Sequence, residues 1–381
     1  MLAKMLFVVN KDGFNIDPSE TFLKAQLEGM KCETISLIGY PGKRCINSEE
    51  RFLPSRKLLP LAFRWLGRRL ALATTDEQDV DSLCKYIKSE KIDLVLAEYG
   101  PTAVSVMAAC ARADVPLVAH FHGWDAYTQY NIATYGERYK HLFEQVAAVV
   151  AVSNHMREQL ISLGANPENI FHNACGAEVS GELRAYPAKA DKRYIMVGRL
   201  TEKKAPICSI KAFSMLLEEH PDAVLEVIGD GDMRAECEEL CDQLGIAGSV
   251  SFHGARPHAD VLAGLARARC FIQHSVRAKD GDHEGTPVGV LEAMGMGLPV
   301  VATRHGGILD LIDTDQVGSL VDEHNIDGMS RAMARFAKDP MLAQDVGERA
   351  RELVLQNWTS EKSIERLWDI IKWASATYAD D

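Results

Sequence analysis

Short apolar runs alternate with amphipathic helical patterns along nearly the whole chain, and the series occurs twice. The first set covers 5–10, 33–38, 92–97, 117–121, 147–152 and 170–173; the second covers 194–197, 225–228, 250–253, 270–274, 299–302 and 319–321. Runs that are apolar throughout, rather than at every other residue, belong to strands buried on both faces, as in a parallel sheet. Parallel neighbours need a long crossover, and the intervening segments have helical spacing. At 205–219, for example, Ile207, Ile210, Phe213 and Leu217 share one face. Each set therefore predicts an open parallel sheet with helices on both sides. The 381 residues also exceed what one ordinary core absorbs. The expected fold class is α/β, with two Rossmann-like, doubly wound domains facing a central cleft. The division falls near 176–192, giving domains at 1–180 and 181–360. The stretch 361–381, with Leu367, Ile370, Ile371 and Trp373, is expected to form a helix that crosses back to the first domain.

A hydrophobic share of 47% with 25% charged residues is that of a soluble globular enzyme. A net charge of −12 argues against nucleic acid as a partner. No apolar run nears the ~20 residues that span a bilayer, and residues 1–10 lack the long apolar core and cleavage site of a secretion signal. Nine cysteines, odd in number and without paired spacing, fit a reducing cytoplasm. One segment departs from the acidic balance. Within 43–72, eight basic residues stand against two acids, a local +6 in a chain whose remainder is −18. At helical spacing Phe63, Leu66 and Leu70 form one stripe, while Leu61, Trp65 and Leu72 lie among Arg64, Arg68 and Arg69. That second face resembles an interfacial helix on an anionic membrane surface, which would put the protein at the inner face of a membrane. An ordinary helix with a basic surface is the alternative, and slightly the stronger one.

The residues that carry chemistry cluster at the carboxyl ends of the expected strands, where doubly wound sheets bind ligands. After the run 270–274, Gly285-Thr286-Pro287 lies where a loop becomes a helix, with Pro287 at the first helical position. Free amides and the positive end of the helix dipole make an anion site there. Glu284 precedes the helix start. Glu292, with seven residues between them, lies about one and a half turns inside, roughly 7 Å along the axis. A phosphate at the helix end with an acid on either side suits a molecule laid out as hydroxyls, diphosphate, hydroxyls: a nucleotide sugar. A plain capped helix start with a solvated glutamate is the alternative. After the run 194–197, Gly198-Arg199-Leu200 and Lys204 add a glycine for close backbone approach and two cations suited to a leaving diphosphate. Gly229-Asp230-Gly231 lacks the three glycines of a dinucleotide fingerprint, and both Asp230-Gly231-Asp232 and Asp280-Gly281-Asp282 read as turns. In the first half, His120-Phe121-His122-Gly123-Trp124-Asp125 ends an apolar run, so its histidines are placed to face the cleft. A histidine capping the next helix is the alternative there, and zinc lacks a third ligand at a recognisable spacing.

Together these motifs resemble the retaining glycosyltransferases of GT-B fold that include sucrose synthase and bacterial mannosyl- and N-acetylglucosaminyltransferases, the group 1 glycosyltransferases. The resemblance covers nearly the whole chain and is strongest over 194–307. It rests on Gly198-Arg199-Leu200 with Lys204, Gly229-Asp230-Gly231, Phe252-His253-Gly254, and Glu284 with Glu292 followed by Gly297-Leu298-Pro299-Val300-Val301-Ala302-Thr303. Residues 120–125 resemble the His-Gly segment of members that build exopolysaccharides. The resemblance implies that Arg199 and Lys204, beside Gly198, hold the donor diphosphate. It implies that Glu284 binds sugar hydroxyls and Glu292 the ribose, that the backbone of Gly285, Thr286, Pro287 and Val288 meets phosphate and sugar, and that Ala255 and Arg256 meet the base. His122 would touch the transferred sugar or the attacking hydroxyl, with Gly13, His120 and Asp125 on the acceptor side. The chain departs from the family pattern at Gly13, single where many members have two glycines, and at Ala205, where glycine often follows the lysine. The implied reaction moves a sugar from a UDP- or GDP-sugar to a saccharide or lipid-linked saccharide in surface polysaccharide assembly. It retains anomeric configuration and uses no metal or other cofactor, the cations doing a metal's work. A nucleotide-sugar 2-epimerase or a non-catalytic partner subunit are the alternatives on this fold.

Overall fold

The computed structural model describes residues 2–9, 21–39, 45–46, 77–179 and 183–380. The chain divides into two compact units, Met1–Asn173 with Ile364–Asp381, and Ala174–Ser363. In the first unit the six apolar runs become β1 (Lys4–Val9), β2 (Glu33–Ile38), β4 (Leu94–Glu98), β5 (Leu117–Phe121), β6 (Ala148–Ala151) and β7 (Ile170–His172), and a two-residue strand not expected from the sequence, β3 (Cys45–Ile46), joins them. Their order is β3-β2-β1-β4-β5-β6-β7, parallel throughout except for the short β2–β3 pair. In the second unit β8 (Arg193–Val197), β9 (Val224–Ile228), β10 (Val250–Gly254), β11 (Cys270–Gln273), β12 (Val300–Thr303) and β13 (Ser319–Val321) form an all-parallel sheet ordered β10-β9-β8-β11-β12-β13. Both sheets are doubly wound. The chain works outward from β1 and from β8, then returns to the other side at β4 and at β11. Connections leave in opposite directions at these two reversals, so the carboxyl ends of β1 and β4, and of β8 and β11, are left open to a ligand.

The strands are apolar throughout because successive residues of each face opposite helix layers. Tyr194 and Met196 pack with Phe213 and Phe336 on one side of the second sheet, and Ile195 packs with Leu291 and Met294 on the other. In the first unit, Met5, Phe7, Leu96, Val118 and Val150 meet Leu367, Ile370, Ile371 and Ala374 of the last helix, Ser360–Asp380. That helix is amphipathic because its inner face completes the first unit's core, each buried Leu or Ile contributing roughly 1.5–3 kcal/mol. Gly13 and the basic segment 43–72, apart from Cys45–Ile46, lie outside the described residues. Among the described residues no helix is long and apolar enough to cross a membrane.

Candidate active site

At the reversal of the second sheet three loops are laced together by backbone hydrogen bonds. The Gly198 N–H donates to Ile228 O, Leu200 N–H to Asp230 O and Gly229 N–H to Gly254 O, each at 2.9 Å. Only glycine permits this at Gly229: its φ is +137°, and a Cβ there would lie 1.9 Å from Gly198 O. Gly229-Asp230-Gly231 is therefore a packing device. Asp230 accepts from the Gly231 N–H at 2.8 Å and from Arg234 at 3.1 Å, and Asp280 accepts from the Asp282 N–H at 2.9 Å, the turn bonding expected of such pairs. Beyond Gly198, Arg199 is exposed and Glu202–Lys204 makes one 3-10 turn. Lys204 returns under the loop, its Nζ 3.0 Å from Glu284 Oε1 and 3.3 Å from Gln273 Oε1. Ala205 then adopts φ 35°, ψ 55°, so an alanine carries the left-handed backbone that glycine would take more easily.

Glu284 is the buried centre of this group. Burial alone would push its carboxyl up, but Lys204 and then Lys203 outweigh that and hold it below the usual range. Burial also pulls Lys204 below the ordinary lysine range, against the pull of Glu284. These tendencies compete. We take the pair as ionised, because the contact is 3.0 Å and 17% of the Lys204 side chain still meets solvent. The Glu284 backbone is pinned as well. Its N–H donates to His305 Nε2 at 3.2 Å, and His305 Nδ1 lies 2.7 Å from Glu323 Oε1, which fixes the ring as the Nδ1–H tautomer. A Cβ on Gly306 would lie 2.5 Å from Glu284 O.

The helix Val288–Met296 starts one residue later than expected: Pro287 is the N-cap, its carbonyl accepting from the Val290 and Leu291 amides. A proline has no N–H to place in the first turn, so the exposed donors of the helix end are those of Val288 and Gly289. A Cβ on Gly289 would lie 3.2 Å from Val197 O, so its absence lets the helix end sit against β8. Glu292 is buried on this helix with Oε1 2.8 Å from His258 Nε2, and Ala255 and Arg256 are exposed directly after β10. Lys204, Glu284 and the helix end are thus gathered around the carboxyl end of β8, an arrangement able to hold a diphosphate and hydroxyls.

The reversal of the first sheet carries a second group. Glu98 ends β4 and is paired in register with His120 of β5. Its Oε2 lies 3.1 Å from His120 Nδ1 and 2.5 Å from His122 Nε2. Burial pushes the Glu98 carboxyl up, but His120 and His122 together outweigh it and hold the group down at about 2. Burial pulls His120 below the ordinary histidine range. We therefore take Glu98 as an anion accepting from both rings, with His120 neutral. Asp125 is fully buried: Oδ1 accepts from the His122 N–H at 3.0 Å and the Gly123 N–H at 2.9 Å, and Oδ2 from the Gly100 N–H at 2.9 Å. Among the described residues Glu98, His120 and His122 are the one trio close enough to hold a metal ion.

The sequence matches two family models in succession, Glycosyltransferase Family 4 over residues 45–179 and Glycosyl transferases group 1 over residues 183–353. The chain is a glycosyltransferase whose second half carries a group 1 glycosyltransferase domain. It is 27% identical over 302 residues to the putative colanic acid biosynthesis glycosyltransferase WcaL of Salmonella typhimurium, covering 77% of this chain and 74% of that one. To the amylovoran biosynthesis glycosyltransferase AmsK of Erwinia amylovora it is 28% identical, with 67% and 63% covered. The fold is that of Anabaena Alr3699/HepE, whose crystal structure contains UDP and glucose, at TM-score 0.74 and 18% identity over 97% of this chain and 99% of that one.

In this glycosyltransferase Gly198, Lys204, Glu284 and the helix end after Pro287 are brought together, with Glu292 further along the same helix. His120 and Asp125, expected on the acceptor side, are both fully buried. One turns to Glu98 and the other to three amides, so both build the loop that carries His122. Sequence reasoning passed over Glu98, which supplies the neighbour to the two histidines that no spacing along the chain revealed. Its only signal was a lone charge closing the apolar run 94–97. His305, His258 and Lys203 were passed over too; Lys203 pairs with Asp282 at 3.0 Å.

Proposed function

We propose that this enzyme transfers a sugar from a nucleoside-diphosphate sugar, UDP- or GDP-linked, to a hydroxyl of a saccharide or lipid-linked saccharide in surface polysaccharide assembly, with retained anomeric configuration and without a metal. The observation that carries the reading is the convergence of Lys204, Glu284 and the Val288–Met296 helix end at the β8/β11 reversal. A departing nucleoside diphosphate gains negative charge in the transition state; Lys204, held against Glu284, and the first-turn amides are positive groups fixed in advance for it, and the exposed Arg199 would add a second cation. Glu284 would meet the hydroxyls of the transferred sugar, Glu292 the ribose, and the exposed backbone at Ala255 and Arg256 the base. The UDP and glucose of the HepE structure and the polysaccharide pathways named for WcaL and AmsK support this donor class and this acceptor class. Attachment to an anionic membrane through 43–72 belongs to the same proposal, since a lipid-linked acceptor resides there.

The test is a screen of UDP- and GDP-sugars for thermal stabilisation, followed by turnover with saccharide acceptors and NMR of the new linkage. Transfer with the donor's anomeric configuration kept, at a rate unchanged by excess EDTA, is expected. An inverted linkage, a free epimerised sugar, or activity lost to EDTA and restored by manganese would each refute the corresponding part.

A further inference from the structure

We propose that Glu98 is a positioning residue for this reaction: its carboxylate holds the His122 ring in the Nε2–H form and fixes its orientation, so that His122 acts on the substrate through its other edge. The inference rests on the reading of His122 as a substrate-facing group and adds a residue to it. Glu98 is fully buried, and its Oε2 lies 2.5 Å from His122 Nε2. A carboxylate can only accept, so the shared proton belongs to the ring nitrogen. The low value at which Glu98 is held agrees with an ionised group. The same oxygen lies 3.1 Å from His120 Nδ1, so a buried, neutral histidine beside His122 also steadies the carboxylate.

The rest of the loop restrains the same ring. Asp125 fixes the His122 backbone N–H, and the rings of Phe22 and Tyr99 lie 4.8 Å from the imidazole, that of His120 4.2 Å. Tyr99, directly after Glu98, has φ 72°. Backbone of this kind persists where the surroundings impose it, and it collects at functional loops. A metal ion shared by Glu98, His120 and His122 is the competing account. Ligands about 2.0 Å from a tetrahedral ion stand about 3.3 Å apart, whereas Glu98 Oε2 and His122 Nε2 lie 2.5 Å apart, too close for two ligands of one such ion and within hydrogen-bond reach. The geometry favours the proton.

The experiment compares wild type, Glu98→Gln, Glu98→Asp and His122→Ala in donor and acceptor kinetics across pH, with metal content measured on each protein. Among the described residues the titratable groups around the ring are Glu98, His120, Asp125 and Tyr99. Removing only the Glu98 charge should lower kcat by about 10- to 100-fold, the usual effect of losing a partner that orients a histidine. Donor KM should stay within about threefold, and Glu98→Asp should recover part of the loss. Whichever limb of the kcat/KM profile His122 governs should move to lower pH, because a histidine without its carboxylate holds its proton less tightly. In wild type, nitrogen-15 shifts of labelled histidine should show His122 as the Nε2–H form, a readout that stands even if Glu98→Gln misfolds. Wild-type kcat with an unmoved limb in Glu98→Gln, or an Nδ1–H His122 in wild type, would overturn the proposal. So would a stoichiometric metal lost in Glu98→Gln. If His122→Ala keeps full activity, the reading of His122 itself fails; if only Glu98→Gln does, the positioning role fails alone.

Discussion

Lys204→Met separates the structural and chemical parts of the Lys204–Glu284 pair. The substitution keeps the length of the side chain and removes its charge, leaving Glu284 with only 6% of its side chain exposed and no direct cation. Stranding one half of a buried pair costs about 3–5 kcal/mol. Two features place this case at the lower end: Lys204 keeps 17% exposure, and Lys203 also acts on Glu284 from nearby. A loss of about 3 kcal/mol is expected. For a unit of this size that lowers Tm by about 6–12 °C, and Glu284 should then rise toward protonation at neutral pH. The double variant Lys204→Met with Glu284→Gln removes the stranded charge and should recover most of that stability. It should recover none of the turnover, because the cation facing the diphosphate is still missing, a loss of about 2.7–4 kcal/mol in the transition state. Urea denaturation and donor turnover, measured on all four members of the cycle, decide the matter. If the double variant is as unstable as Lys204→Met, unpaired charge is not the cause. If Lys204→Met turns over at the wild-type rate, Lys204 does not serve the leaving group.

Gly229→Ala should cost at least about 3 kcal/mol, because both the positive φ and the backbone oxygen of Gly198 oppose the methyl and no side chain can move aside; nucleotide binding should fall with it, and near-wild-type urea denaturation would refute the lacing argument. His258 bonds Glu292 and is raised above the ordinary histidine range by it, so its stabilisation is full below about pH 6.5, the unfolded value, and is lost as pH rises through the higher folded value. His258→Ala should therefore lower Tm at pH 6 and leave it unchanged at pH 9; equal losses at both would refute the ionic origin. For the segment 43–72, binding to vesicles with anionic lipid should fall with salt and in the triple change Arg64→Glu, Arg68→Glu, Arg69→Glu, and wild-type protein that ignores such vesicles at low salt would make it an ordinary basic surface.

The parts of this molecule legible in its sequence are those fixed by local periodicity. Unbroken apolar runs announced parallel strands, and helical spacing announced their crossovers. The residues that converge on Glu284 were legible because Gly198 to Lys204 follow directly from β8 and Glu284 itself lies just before the start of a helix. What the sequence withheld is set by neighbours across the sheet. Glu98 and His120 lie side by side only because β4 and β5 pair in that register, and nothing in the spacing of 98 and 120 along the chain says so. Asp125 shows the same limit in another form. An acid beside His-Gly suggests a hand extended to substrate, yet three amides, one from Gly100, have already taken its oxygens. Ala205 stands between the two cases. The alanine was visible as a departure, and the structure keeps the left-handed turn at that position regardless. The turn is thus dictated by what it delivers, Lys204 on one side and the helix Pro206–Glu219 on the other, rather than by the preference of the residue that occupies it.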